Sequence, residues 1–256
     1  MNHTQLSPFG VEITAPDGTP LAALDPAELR NAVALHRFAL LRGFAPPEEN
    51  AMLGFCRQLG EILEWEFGAV NELQTKADAK NYLYTSAEVP FHWDGAFAGR
   101  VPHYIFFHCR VAPPQDAGGE TTFCDTVRLL EHATPAQREL WDGIQITYST
   151  EKVVHYGGSF TSPLVAAHPI SGTEVLRYAE PVEDLNPVRL SVAGLPPEKH
   201  AAFLAEMHRL LNDPAVCYAH SWRENDILIA DNHALLHGRR AFRADAPRHL
   251  RRVNIL

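Results

Sequence analysis

The stretch that most limits how this chain folds is Asp226-Ile-Leu-Ile-Ala-Asp231-Asn232-His233-Ala-Leu-Leu-His237-Gly-Arg239. Two apolar runs, each too short for a helix, flank a polar turn, which is the pattern of two buried strands joined end to end. Elements that are apolar in this way have to be covered by another layer. Similar runs recur along the chain. Residues 9–15 alternate like a strand before the turn Pro16-Asp17-Gly18, and residues 38–42 read as a buried strand. Residues 82–92 and 102–111 are strand-like, and 120–123 start another short strand. Further strands are expected at 144–148, at 175–178 and in the closing run 249–256.

Helix signals are fewer. Asp25-Pro26-Ala27-Glu28 reads as a helix start, with Asp25 as N-cap. A second helix is expected over 47–59 with Gly60 closing it, and a third over 126–142 with Thr126 as its cap. Residues 197–211 give the clearest amphipathic helix. Residues 157–200, rich in Gly and Pro, are expected to form long, partly irregular loops over a pocket. The expected fold is α+β, an all-β core with flanking helices. The architecture expected is a double-stranded β-helix, a jelly-roll of cupin-like form, as one domain over 1–256.

Composition narrows the class. With 256 residues and 46% hydrophobic content, the chain can build one large core. Its net charge of −9, from 22 Lys and Arg against 31 Asp and Glu, argues against a nucleic-acid or anionic-membrane surface. No apolar run is long enough to span a bilayer, and the N-terminus lacks the regions of a signal peptide. Cys56, Cys109, Cys124 and Cys217 are scattered without a Cys-x-x-Cys pair, as expected of free thiols in a reducing cytoplasm. A soluble cytoplasmic enzyme with a small-molecule partner is expected. The oligomeric state stays open, a homo-oligomer included.

The chemistry centres on His92-Trp93-Asp94. On a strand, residues two apart share a face, so an imidazole nitrogen and a carboxylate oxygen can reach one metal ion. A third ligand would complete a facial set of two histidines and one carboxylate, with three positions open. Alone, His-x-Asp is a common accident, and a His after two leucines, as at 237, is more often a packed core residue. Arg248 and Arg252, four apart on the last strand, also share a face. Such arginines are costly in an apolar strand unless anions meet them, or they are solvated on an edge.

Taken in order, His92-x-Asp94, Gly118-Gly-Glu-Thr121, His237 and Arg248 resemble the TauD/TfdA family of Fe(II)- and 2-oxoglutarate-dependent dioxygenases. The match spans nearly the whole chain, Leu41-Arg-Gly-Phe44 included. The resemblance implies that His92, Asp94 and His237 bind iron. It implies that Arg248 and Thr121 hold 2-oxoglutarate, with Thr122 the neighbouring alternative, and that Arg252 meets an anionic group of the substrate. Several stretches are similar to the PvcB-like branch: Gly60–Phe67, Lys80–Thr85, Val89–Phe97 and Thr150–Gly158. That likeness implies oxidative desaturation, with or without loss of CO2, of an isonitrile derived from tyrosine or tryptophan, with O2 as oxidant. Lys152, His155, Tyr156 and Tyr84 fall in those stretches and are expected at the substrate. Two alternatives stay open: hydroxylation of a free amino acid or a sulfonate, and a zinc or manganese cupin-like hydrolase that would not need Arg248.

Overall fold

Two sheets facing each other carry the apolar runs, in a computed structural model that describes residues 1–66, 68–153 and 156–256. The first half runs β1 (Asn2–Gln5), β2 (Val11–Thr19), α1 (Pro26–His36), β3 (Phe38–Phe44), α2 (Glu49–Leu59), β4 (Asn71–Gln74), β5 (Val89–His92) and β6 (Tyr104–Val111). Next come β7 (Thr121–Asp125), α3 (Thr126–His132), α4 (Pro135–Asp142), β8 (Gln145–Val153), β9 (Tyr156–Pro163), β10 (Val165–Ala167) and β11 (Glu174–Leu176). The last part holds β12 (Arg189–Ala193), α5 (His200–Leu211), β13 (Cys217–His220), β14 (Ile227–Asp231), β15 (Leu235–Arg239) and β16 (His249–Ile255).

The larger sheet has seven strands in the order β1-β2-β3-β14-β6-β16-β4, and the smaller has four in the order β13-β7-β15-β5. Strand periodicity sorts the side chains into layers. Leu40, Phe107, Leu228 and Leu250 of the larger sheet meet Phe123 and Leu235 of the smaller in the cluster between the sheets. The alternate residues Leu41, Phe106, Ile229 and Val253 pack outward under α1 and α2. On the far side of the smaller sheet, Phe91, Trp93, Cys124 and Leu236 pack with α3, α4, α5 and β8. Both faces of the central strands are covered, so they read as continuous apolar runs rather than as alternation.

Several expected boundaries move. The helix expected over 126–142 is two helices, because Pro135 disfavours a helical Thr134. Thr134 turns extended and forms a capping box with Gln137 that starts α4. The cap of α3 is Asp125, whose Oδ1 accepts from the amides of Val127 and Arg128. The hydroxyl of Thr126 instead donates to Ala234 O. Pro16-Asp17-Gly18 does not end β2; it bulges, so that Thr14 pairs with Arg42 and Thr19 with Phe44. Tyr82–Tyr84 is a 3-10 turn, with the Asn81 side chain accepting from Leu83 N, and the strand starts only at Val89. The region expected as loops contributes β9 and β12 to a three-stranded antiparallel sheet, order β12-β8-β9. Its glycines supply positive φ within that sheet, as at Gly157 and Gly158, rather than marking its absence. Gly60 closes α2 with an extended φ of 172°; a Cβ there would lie 2.2 Å from Leu256 O.

The four cysteines are free thiols. Cys124 and Cys217 stand opposite each other on β7 and β13. Among the described residues no helix is long and apolar enough to cross a membrane.

Candidate metal centre

β5 and β15 lie side by side, and His92 is the direct cross-strand partner of His237. Their rings sit 4.3 Å apart between centroids. Asp94 follows β5 by two residues and returns to the same face. One ligand atom each of His92, Asp94 and His237 falls within 4.8 Å of the other two. Trp93, between them, points to the opposite face and packs edge-on against Tyr148 with the Arg177 guanidinium over its ring. The strand period foresees that split.

The local fold holds Asp94 from three sides. Its backbone N–H donates to Asn232 Oδ1 at 2.9 Å, and Asn232 Nδ2 donates to Asp94 O at 3.1 Å and Pro102 O at 2.9 Å. The next residue, Gly95, has φ +88, and a Cβ there would lie 2.3 Å from Arg100 O, so only glycine lets the chain turn away. Asp94 Oδ1 accepts from Arg252 Nη1 at 3.2 Å, Oδ2 accepts from Asn254 Nδ2 at 3.0 Å, and the ion pair with Arg252 brings Nη1 to 3.0 Å from Oδ2. Burial alone would raise the Asp94 pKa, but Arg252, the two histidines and Asn254 hold it below the usual carboxylate range.

The histidines are arranged as ligands rather than as acids. His92 Nδ1 lies 2.9 Å from Pro90 O, so it carries the proton and donates, leaving the Nε2 lone pair free. His237 Nε2 is buried and has no hydrogen-bond partner among the described residues. A buried polar atom left this way is rare unless a ligand meets it. Burial lowers both pKa values, with His92 adding to the shift of His237, so both imidazoles are neutral at pH 7. The donor set and the orphaned nitrogen fit a divalent transition metal.

A second group, His103, His168 and Asp231, has the same ligand-atom spacing. His168 Nδ1 accepts from the amides of Ile170 and Ser171, at 3.3 and 3.2 Å. Its proton therefore sits on Nε2, which donates to Asp231 Oδ2 at 3.0 Å. That nitrogen is satisfied and offers no lone pair. The chain distance between His103, His168 and Asp231 hides their meeting, and hydrogen bonding explains it.

Arg248 immediately precedes β16 and is buried. Its Nε donates to Gly119 O at 3.0 Å, and its Nη2 reaches Thr121 Oγ1 at 3.4 Å. Among the described residues no carboxylate lies within salt-bridge reach, and burial lowers its pKa to about 9. Thr121 shares the inward face of Phe123 on β7 and also accepts from Trp222 Nε1 at 2.9 Å. Thr122 faces the other way, where its hydroxyl would lie 3.0 Å from a Cβ on Gly238.

β16 is an interior strand between β6 and β4, so its arginines are not an edge feature. Arg252, expected to meet a substrate anion, donates to Asp94, a contact the spacing does not foresee. Arg251 points the opposite way and is buried, donating to Pro47 O at 2.6 Å and to His108 Nδ1 at 2.9 Å. Tyr84 stands farther out. Its hydroxyl donates to Asn71 Oδ1 at 3.1 Å, Lys76 Nζ lies 4.1 Å above its ring, and Asn71 pairs across the sheet with Arg252. Lys152 and Tyr156 lie on β8 and β9; their side chains, and all of His155, fall outside the described residues. Asn232 and Asn254 were not anticipated. Asn254 could have been, because it is two residues beyond Arg252 on one strand and so shares its face.

The match to known proteins agrees with this geometry. Residues 2–254 match the family described as taurine catabolism dioxygenase TauD, TfdA family. The chain is 46% identical to 3-((Z)-2-isocyanoethenyl)-1H-indole synthase of Fischerella ambigua, covering 98% of this chain and 94% of that one. It is 39% identical to tyrosine isonitrile desaturase of Pseudomonas aeruginosa, covering 89% and 80%. A solved structure of PvcB, described as an Fe, alpha-ketoglutarate dependent oxygenase from an isonitrile synthetic pathway, superposes with a TM-score of 0.82 at 36% identity. The superposition covers 96% of this chain and 86% of PvcB. The chain belongs to the TauD/TfdA family of dioxygenases.

Proposed function

We propose that this protein is an Fe(II)- and 2-oxoglutarate-dependent oxygenase that oxidatively desaturates an isonitrile derived from tyrosine or tryptophan. The observation that carries the reading is the neutral pair His92 and His237 beside a charged Asp94, together with a buried Arg248 that has no carboxylate partner among the described residues. Similarity to the indole isonitrile enzyme and to tyrosine isonitrile desaturase supports the substrate class. Loss of the substrate carboxylate as CO2 is part of the proposal, in line with the ethenyl product named for the indole relative. The seven- and four-stranded sheets are taken as the two layers of a double-stranded β-helix, in one domain.

In this reading His92 Nε2, Asp94 and His237 Nε2 hold the iron. Bound iron supplies activation of O2, coupled to oxidative decarboxylation of 2-oxoglutarate to succinate and CO2. Arg248 takes the distal carboxylate of 2-oxoglutarate, which gives its buried charge the anion it lacks, and Thr121 adds a hydroxyl. Asn232 fixes the Asp94 backbone, and Pro90 O fixes the His92 tautomer. Both ligands are therefore oriented before anything binds. The β-rich layers keep water from the site, and Tyr84 with Asn71 forms the wall on the substrate side. Lys152, His155 and Tyr156 are proposed to close over the substrate. The free thiols support a reducing compartment, the cytoplasm.

The test is anaerobic addition of Fe(II) and 2-oxoglutarate to the metal-free protein. A visible metal-to-ligand charge-transfer band is expected, lost in His237→Ala and weakened in Arg248→Ala. In air, succinate should form faster with the isonitriles of tyrosine or tryptophan than with free amino acids or taurine. Turnover of taurine with inert isonitriles would replace the substrate assignment. Metal-dependent hydrolysis without any 2-oxoglutarate requirement would replace the reaction class.

A further inference from the structure

We infer that Cys124 and Cys217 form a covalent modification site, a cross-strand thiol pair that a small-molecule disulfide oxidises to a disulfide bond. The two residues stand directly opposite each other on β7 and β13. The next pair along is joined by a ladder bond, Asp125 N donating to Val216 O at 2.9 Å. In an antiparallel ladder the bonded pairs alternate with unbonded ones, so Cys124 and Cys217 are an unbonded pair. Such pairs bring their Cα atoms to about 4.5 Å, with the side chains closer than in bonded pairs. That spacing lies inside the range of roughly 4.4–6.8 Å that a disulfide spans. Both side chains pack in the same apolar cluster, on the far side of the smaller sheet. Cys56 and Cys109 pack in two other clusters, each without a second cysteine.

The chemistry is thiol–disulfide exchange. Cys217 is the entry point, being half-buried where Cys124 is fully buried. Its thiolate attacks the small disulfide, breaking that S–S bond and releasing one small thiolate, which takes up the proton Cys217 gave up. Cys124 then attacks the mixed disulfide at the Cys217 sulfur, and the second small thiolate leaves with the Cys124 proton. The protein loses two electrons and two protons, and the oxidant is reduced to two thiols. Burial raises the pKa of both cysteines, so thiolate is scarce and the pair stays reduced where small thiols are abundant. The bond would act on a weak point of the fold. β13 is an edge strand that pairs only with β7 in its sheet. Everything from α3 to α5, with β8, β9 and β12, lies between the two cysteines and covers the far face of the smaller sheet. A disulfide there staples both ends of that lobe and restricts a loop of about a hundred residues in the unfolded chain. Phe123, the cross-strand partner of His237, precedes Cys124 and so faces the other way. The staple thus leaves the candidate metal ligands untouched, and the pair is a stabilising lock set by oxidising conditions.

The experiment incubates the full native chain, freed of small thiols, with oxidised glutathione and no denaturant. The protein should lose the mass of two hydrogen atoms, and peptide mapping without reductant should join the Cys124 and Cys217 peptides. The midpoint of thermal unfolding should rise by about 5–15 °C and return to its starting value with dithiothreitol. Amide exchange over 217–220 should slow in the oxidised form. Cys217→Ser should abolish the joined peptide and the rise in midpoint, and Cys56→Ser should keep both. Glutathione left on Cys217 without closure overturns the inference, as does a bond that involves Cys56 or Cys109. So does a joined peptide that forms only in urea, or one that leaves the midpoint unchanged or lower. If Cys217→Ser does not fold, the peptide map and midpoint of the wild type decide.

Discussion

His92 and His237 differ from the other buried histidines in which nitrogen is left over. His168 spends both nitrogens on the backbone and on Asp231, and His220 Nε2 lies 3.1 Å from Asp226 Oδ2. His237 leaves Nε2 unmet among the described residues in a buried site, and that difference marks a candidate ligand better than spacing does. The same bookkeeping gives a stability prediction for the metal-free protein. Asp94→Ala leaves Arg252 buried without its only carboxylate among the described residues and should destabilise by about 3–5 kcal/mol. Asp94→Asn, which still offers an oxygen to Asn254, should cost less. Urea denaturation of both variants without metal measures the gap, and equal costs would mean that the ion pair contributes nothing to the apo fold. His92-x-Asp94 was legible in the sequence because both its ends obey one strand period. Asn232 was not, since it holds Asp94 from a turn 138 positions away and a hydrogen bond leaves no pattern in the sequence.

At the scale of elements, the strands were legible where both faces are covered. Residues 38–41, 105–107 and 227–230 are apolar throughout because α1 and α2 lie on one side and the smaller sheet on the other. β9 and β12 pair with β8 outside that sandwich; β8 was legible over 144–148, whereas the Gly, Ser and Thr of β9 hid it in a stretch expected as loops. The division of α3 from α4 turned on Pro135 and the Thr134 cap. Thr134→Ala should therefore cost about 1 kcal/mol, read as a lower melting temperature with unchanged iron binding. Arg239 does a larger job for the segment that leads into β5. Its guanidinium donates to the carbonyls of Leu83, Thr85 and Ala87, at 3.0, 2.8 and 2.5 Å, and its burial lowers its pKa to about 10. Arg239→Met should free those carbonyls and speed amide exchange over residues 82–88, at a cost of about 2–3 kcal/mol in stability. Exchange unchanged there would mean that the turn holds itself.

For the whole molecule, buried neutral histidines set the response to acid. His108 is pushed down to about 4 by burial and by the neighbouring Arg251, and His233 to about 3 by burial and Arg177. The unfolded chain takes up protons at these residues as pH falls through about 6.5, while the folded chain refuses them until far lower. Stability is therefore full above pH 6.5 and drains away below it. His108 alone accounts for about 2 kcal/mol by pH 5, from a shift of that size at 1.36 kcal/mol per unit. Asp94, Asp226 and Asp231, whose pKa values are lowered, add a second loss only below the ordinary carboxylate range. Denaturant titrations at pH 7.5, 6 and 5 should show the midpoint falling across that series, and a flat profile would contradict the buried neutral histidines.

The contacts of Asp94 with the last strand also imply an order of events during synthesis. Asp94 leaves the ribosome early, and His237 completes the ligand set only after most of the chain has followed. Arg252 and Asn254 come later still, on the strand that slots between β6 and β4. Contacts this distant form late in folding. If His92, Asp94 and His237 hold the iron, the set is complete only once β15 has paired with β5, and metal is expected to load onto a chain folded that far.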